Sequence, residues 1–189
     1  MDRTATDPDW APLAPSPGVT IIRLGADQGL DRMLESGEID ALFSAHIPPS
    51  ARWCPDRVRR LFPDFEDVER DYFRRTRIFP IMHTVVVRRD VYERNRWIAC
   101  TLLDAFEEVK KLAMKAYDAA DVFFNAPSMF PWFVSLREKN RALMGEVFWP
   151  YGIAENRKAI ETCLRYHLEQ GILKRVYRIE ELFAPETLS

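Results

Sequence analysis

Residues 19–43 read VTIIRLGADQGLDRMLESGEIDALF, and this stretch decides the fold class. Val19-Thr20-Ile21-Ile22-Arg23-Leu24 is short and β-branched, the composition of a buried strand. Residues 28–36 bring Leu30, Met33 and Leu34 onto one helical face, and Gly37 suits the left-handed residue that closes a helix. Ile39-Asp40-Ala41-Leu42-Phe43 then reads as a second strand. Two strands joined by one short crossover helix normally lie parallel, and such sheets bind ligands beyond the carboxyl ends of their strands. The expectation is an α/β fold, with Ser44, Ala45, His46 and the Pro48-Pro49 loop at a candidate site.

On the N-terminal side, residues 1–18 read MDRTATDPDWAPLAPSPG, an acidic, proline-rich stretch expected to be an extended arm. It has no apolar core, so it reads as neither a signal peptide nor a membrane span. On the C-terminal side, residues 55–75 mix arginines with aspartates and glutamates, the pattern of a solvated helical surface with balanced ion pairs. Residues 78–87, IFPIMHTVVV, form the most strand-like run in the chain, with Pro80 pointing to an edge, a strand start or a crossover. Asn95 suits the N-cap of a long helix whose stripe runs through Trp97, Ile98, Leu102, Ala105, Phe106, Val109, Leu112, Ala113 and Ala116. Further helices fit residues 131–143 and 154–170, the latter closed by Gly171.

Composition removes several function classes. The chain has 189 residues, 27 Lys+Arg against 29 Asp+Glu, and a formal charge of −2, so it lacks the cation excess that nucleic acid or an anionic membrane demands. Its seven glycines fit neither a dinucleotide-binding nor a P-loop pattern. Three cysteines, an odd number without a CxxC pair, argue against a disulfide framework and suit a reducing compartment, the cytoplasm. Cys163 and His167 lie four apart on one helix, and His46 and Cys54 eight apart. Neither pair has the third ligand of a zinc site, and no cofactor or metal is expected. GxSxG and HExxH are absent. His83 stands in the middle of an apolar run, where a polar ring needs a partner or a cavity. A hydrogen-bonded structural histidine accounts for that placement as well as a catalytic one does. Trp149-Pro150-Tyr151-Gly152 reads either as a packing loop or as an aromatic pocket wall.

Several segments, in order, resemble the 4,5-dihydroxyphthalate decarboxylase family, whose members look like type 2 periplasmic solute-binding proteins. They are MLESGEIDAL (33–42), VRRLFPDFEDVERDYFRRTRIFPIMHTVVVRRDVYERN (58–95), AFEEVKKLA (105–113), FWPYGIAENRKAIETCLRYHLEQG (148–171) and EELF (180–183). The resemblance implies a type 2 periplasmic-binding-protein-like fold, of which this chain carries the second lobe and the C-terminal part of the first. Residues 19–78 would be the α/β portion of the second lobe, and residues 79–189 the crossover strand and helical C-terminal portion of the first lobe. Arg77 stands where the resemblance leads one to expect a glycine, and Arg96 where it leads one to expect a proline.

The same resemblance implies non-oxidative decarboxylation of a small aromatic carboxylate, or, as the runner-up, non-catalytic binding of an aromatic or heterocyclic carboxylate. It places His83 near the hinge and cleft. Decarboxylation of an aryl acid needs a proton delivered to the ring carbon, cations for a remaining carboxylate and a water-poor wall. His83 is the candidate general acid, and Ser44, His46, Arg52, Trp149 and Tyr151 are the candidate substrate contacts. The resembling family carries a further N-terminal segment with the first lobe's opening strands. Without them the helix over 97–117 and the strand over 79–87 would expose apolar faces and edges. The expected state is therefore a homo-oligomer, most simply a two-fold dimer.

Overall fold

The computed structural model describes residues 17–118 and 129–188, so all but the last two residues of the expected arm lie outside the described residues. Eight helices are present among them: α1 (Leu30–Ser36), α2 (Ser50–Trp53), α3 (Phe65–Thr76), α4 (Arg89–Arg94), α5 (Trp97–Asp118), α6 (Phe133–Met144), α7 (Ile153–Glu169) and α8 (Ile179–Leu182), followed by a closing 3-10 turn at Pro185–Thr187. The expected helices at 28–36, 131–143 and 154–170 are found within a few residues of their expected ends. The short α2 carried no sequence signal that we recognised.

Among the described residues there is no strand. Residues 19–24, 39–43 and 78–87, all read as strands, make no ladder with the described residues, and the one backbone bond from 39–43 is the Ile39 N–H donating to the Met33 carbonyl of α1 (3.3 Å). β-branched composition biases a segment toward extended backbone, but only a second segment completes a ladder. The apolar side chains accordingly stand open, with Ile22 80% and Phe43 107% exposed.

The chain divides into two compact units, one running through Asp71 with residues 170–172, the other comprising Tyr72–Glu169 and the segment from Leu173 onward. In the first, Gly37 takes the left-handed conformation (φ 80°), and its N–H and that of Glu38 donate to carbonyls of the last turn of α1. The N-terminus of α2 has no cap of its own. Asp31 of α1 supplies one, its Oδ1 accepting from both the Ser50 N–H (3.0 Å) and the Ser50 hydroxyl (2.5 Å), which buries Ser50 to 2% exposure.

In the second unit the helix C-termini are tied by cations. The ammonium of Lys158, on α7, donates to the Thr76 carbonyl at the end of α3. Arg77, just beyond α3, donates to the Leu143 carbonyl in the last turn of α6 (3.2 Å). Arg137, buried on α6, donates to the Tyr117 carbonyl in the last turn of α5 and pairs with Asp118. Each places positive charge where last-turn carbonyls lack partners and the helix dipole is negative.

The closing turn docks on α4 and α5. Tyr92 donates its phenol proton to the Glu186 carboxylate (2.6 Å), and Arg96 lies 3.5 Å from the other carboxylate oxygen. Asn95 does not cap α5. Its side-chain amide donates back to the Val91 carbonyl (3.2 Å), so it finishes α4 instead.

Helix α5 presents an unexpected face. Ile98, Leu102, Leu103, Glu107, Lys110 and Met114 are half-buried, whereas Phe106, Val109 and Leu112 of the expected apolar stripe are exposed. The covered side is shifted around the helix from the sequence stripe, because it must deliver Glu107 and Lys110 to a loop described below.

Arg77 has φ 57°, the left-handed region that disfavours side chains with a Cβ. Its N–H donates to the Phe73 carbonyl, and its guanidinium lies 4.5 Å over the Phe73 ring. Arg77→Gly and Arg77→Ala lose the same side-chain contacts and differ in backbone cost. Urea denaturation should therefore find the glycine variant more stable by about 1 kcal/mol, the reverse of their order inside a helix.

The Tyr92–Glu186 contact makes stability depend on pH. The hydrogen bond from Tyr92, then the backbone bond at Glu186 itself, hold the Glu186 carboxyl below its ordinary range, and the same carboxylate pushes the Tyr92 phenol up. A depressed carboxyl stabilises the fold above its unfolded value and loses that effect as pH falls through its folded value; a raised phenol loses its effect as pH climbs through its own. Tyr92→Phe should thus destabilise between about pH 4.3 and about pH 10, and thermal melts of the two proteins should converge toward lower pH.

Candidate functional site

The loop Trp149-Pro150-Tyr151-Gly152 is the best-organised polar-aromatic cluster of the second unit. Gly152 adopts φ 81°, a conformation that frees the chain to turn into α7. Asn156, in the first turns of α7, donates its side-chain amide to the carbonyls of Pro150 (2.9 Å) and Gly152 (2.8 Å), fixing the loop from behind. From α5, the Lys110 ammonium reaches the Trp149 carbonyl (3.2 Å) and sits 4.2 Å from the centre of the Tyr151 ring. Phe79 completes the cluster, meeting the Trp149 ring edge-on at 5.3 Å between centroids.

Lys110 is held by a second contact, to Glu107 Oε1 at 2.8 Å one helical turn back, and its side chain is only 14% exposed. An ammonium has three N–H donors. Two of these are engaged by oxygens, while Trp149, Tyr151 and Phe79 stay partly open to solvent. The arrangement sets a Glu107-paired ammonium beside an aromatic wall.

Of the residues expected from sequence, Trp149 and Tyr151 fall in this cluster. His83 is exposed and makes no hydrogen bond or ion pair with the described residues, so it is not the buried, partnered histidine that a strand interior would demand. It lies four residues beyond Phe79 on the same non-helical segment, so the two Cα atoms are at most about 14 Å apart. Ser44, His46 and Arg52 are exposed residues of the other unit. The Ser44 hydroxyl accepts from the His46 N–H (3.1 Å) in a local turn. Lys110, Glu107, Phe79 and Asn156 were missed. No sequence signal singled out Lys110, which lies seven residues beyond Leu103 on a side of α5 that the apolar stripe does not mark.

Cys54 does not offer a nucleophile of low pKa. Cys54 donates to Glu35 (3.3 Å), and that hydrogen bond, followed by desolvation, pushes its pKa up. Cys163 lies 3.4 Å from His167 Nδ1, which also contacts the Cys163 carbonyl at 2.7 Å. Among the described residues no three His, Cys, Asp or Glu side chains gather as a metal site would need. Nor is any described helix long and apolar enough to cross a membrane.

No family model matches the chain. It is 32% identical over 177 residues to the 4,5-dihydroxyphthalate decarboxylase of Comamonas testosteroni, an alignment that takes in 90% of this chain and 51% of that protein. The chain thus spans about half the length of this distant relative.

The loop's dependence on Asn156 is open to a direct test. Asn156→Asp preserves size but removes the two N–H donors and faces the Pro150 and Gly152 carbonyls with negative charge. It should cost about 1–3 kcal/mol in urea unfolding. Asn156→Gln, which keeps the amide, should cost less than Asn156→Asp.

Proposed function

We propose that this chain takes part in the non-oxidative decarboxylation of an aromatic carboxylate, 4,5-dihydroxyphthalate or a close analogue. The observation that carries the reading is the 32% identity to a protein of that name along 90% of the chain. The Lys110 cluster supports it, since a cation against aromatic rings suits a benzoate-like ligand. The reading brings with it a periplasmic-binding-protein-like α/β fold, in which the extended segments 19–24, 39–43 and 78–87 serve as strands.

In this reading the third N–H of Lys110 meets a carboxylate oxygen, and Trp149, Tyr151 and Phe79 take the ring. Decarboxylation breaks the bond between the ring and the carboxyl carbon, and carbon dioxide leaves. The electron pair stays on the ring carbon and is captured by a proton. A hydroxyl para to that carbon pushes electron density toward it, so no oxidant is consumed. His83 delivers the proton, imidazole being the side chain suited to proton exchange near neutrality.

The test is carbon dioxide release from 4,5-dihydroxyphthalate by the full chain, with binding followed separately by calorimetry. His83→Gln should lower turnover by about 100-fold or more with affinity largely kept. Lys110→Met should weaken binding about tenfold, or about 1.4 kcal/mol. Saturable binding by the wild type without any carbon dioxide would replace this reading with that of a solute binder, and equal turnover in His83→Gln would remove the histidine from the chemistry.

A further inference from the structure

We propose that the closing turn at Pro185–Thr187 is a strap that opens and closes as a unit over the Cys100 thiol, with Glu186 as its latch. Tyr92, Arg96 and Cys100 converge on this one residue. Glu186 accepts the Tyr92 phenol proton at 2.6 Å, its other carboxylate oxygen lies 3.5 Å from Arg96, and its carbonyl accepts from the Cys100 thiol at 3.5 Å. The Arg96 guanidinium also lies 5.5 Å from the centre of the Tyr92 ring, so the two groups that receive the carboxylate are held against each other.

The contacts divide the segment into an anchor and a moving end. On the anchored side, Ile179 of α8 is only 2% exposed, and Glu181 pairs with Arg175 at 3.0 Å. Two extended residues, Phe183 and Ala184, then join α8 to the turn and serve as its hinge. Among the described residues, the polar contacts of the turn with the α4–α5 region run through Glu186. A segment latched by one residue opens locally at far lower cost than the helices it rests on. Cys100 is half-buried beneath it, and while the turn is docked the Glu186 carbonyl takes the direction in which the thiol hydrogen points. A substituent on the sulfur removes that hydrogen and claims the same space, so docking of the turn and modification of Cys100 oppose each other. By linkage each weakens the other by the same factor.

The full chain tests this through the rate at which iodoacetamide alkylates Cys100, read by peptide mass spectrometry with the exposed Cys163 of the same chain as reference. Glu186→Ala, which removes the latch, should raise the Cys100 rate about tenfold or more and leave the Cys163 rate unchanged. Tyr92→Phe should raise it less, and should add little in the Glu186→Ala background, because the two residues share one contact. In the wild type, urea below the unfolding transition should change the Cys100 rate only slightly, since lifting one turn exposes little surface. A Cys100 rate that Glu186→Ala leaves unchanged overturns the proposal. So does a wild-type rate that climbs with urea as steeply as global unfolding, because the thiol is then reached only when the whole unit opens. Should the variants lose their helical circular dichroism, that urea dependence alone decides.

Discussion

A helix that ends inside a protein leaves carbonyls without N–H partners, and in this chain the ends of three helices are answered by cations from elsewhere. Lys158 of α7 closes α3, Arg77 beyond α3 closes α6, and Arg137 of α6 closes α5. The three bonds form a sequence of ties, α7 to α3 to α6 to α5, in a unit that buries few large apolar side chains among the described residues. Each tie gains from both the orphan carbonyl and the negative end of the helix dipole. Arg137 shows what the arrangement requires. A guanidinium only 6% exposed is tolerable because Asp118 and the Tyr117 carbonyl replace the water it has lost.

What sequence reading captured of the fold follows from the range of the interactions involved. Helix positions were legible because their hydrogen bonds and caps are local: Gly37 and Gly171 mark ends, and both have positive φ. Position 77 was also legible in a negative sense, since a residue expected to be glycine has the left-handed backbone that glycine favours. Strand pairing was not legible. IFPIMHTVVV states a backbone preference and says nothing of its partner, and the described residues supply none. For α5 the apolar periodicity was right about the helix and misleading about its covered side, because the side chains that tie it to the rest include Glu107 and Lys110.

The site divides in the same way. Trp149 and Tyr151 were visible because aromatic residues beside proline and glycine announce a structured loop. The groups that hold the loop, Asn156 and Lys110, are ordinary polar helix residues whose importance comes from where two helices bring them. Ser44 and His46 were chosen from a strand-end rule, and no strand ends there among the described residues, while Arg52 was chosen as a substrate contact for the implied reaction. His83 was chosen from its apolar neighbours and from the resemblance of its segment, and those neighbours are exposed, as the histidine is: Met82 is 72% exposed and Val85 63%.

The pairing of Lys110 with Glu107 also limits how the cluster can recognise a ligand. An ammonium already 2.8 Å from a carboxylate oxygen is largely neutralised, so a second carboxylate gains less attraction than at a lone lysine and meets repulsion from Glu107. On the proposed function, charge would therefore not be the main source of affinity at this cluster. What the pair provides is a fixed direction for the remaining N–H, held by Glu107 on one side and the Trp149 carbonyl on the other. In that proposal, the aromatic surfaces of Phe79, Trp149 and Tyr151 would then contribute most of the binding, through the area they remove from water. On the proposed function, such a site would favour a flat ring bearing an anionic edge over an aliphatic acid of equal charge, because only the ring engages the part of the cluster that is not already satisfied.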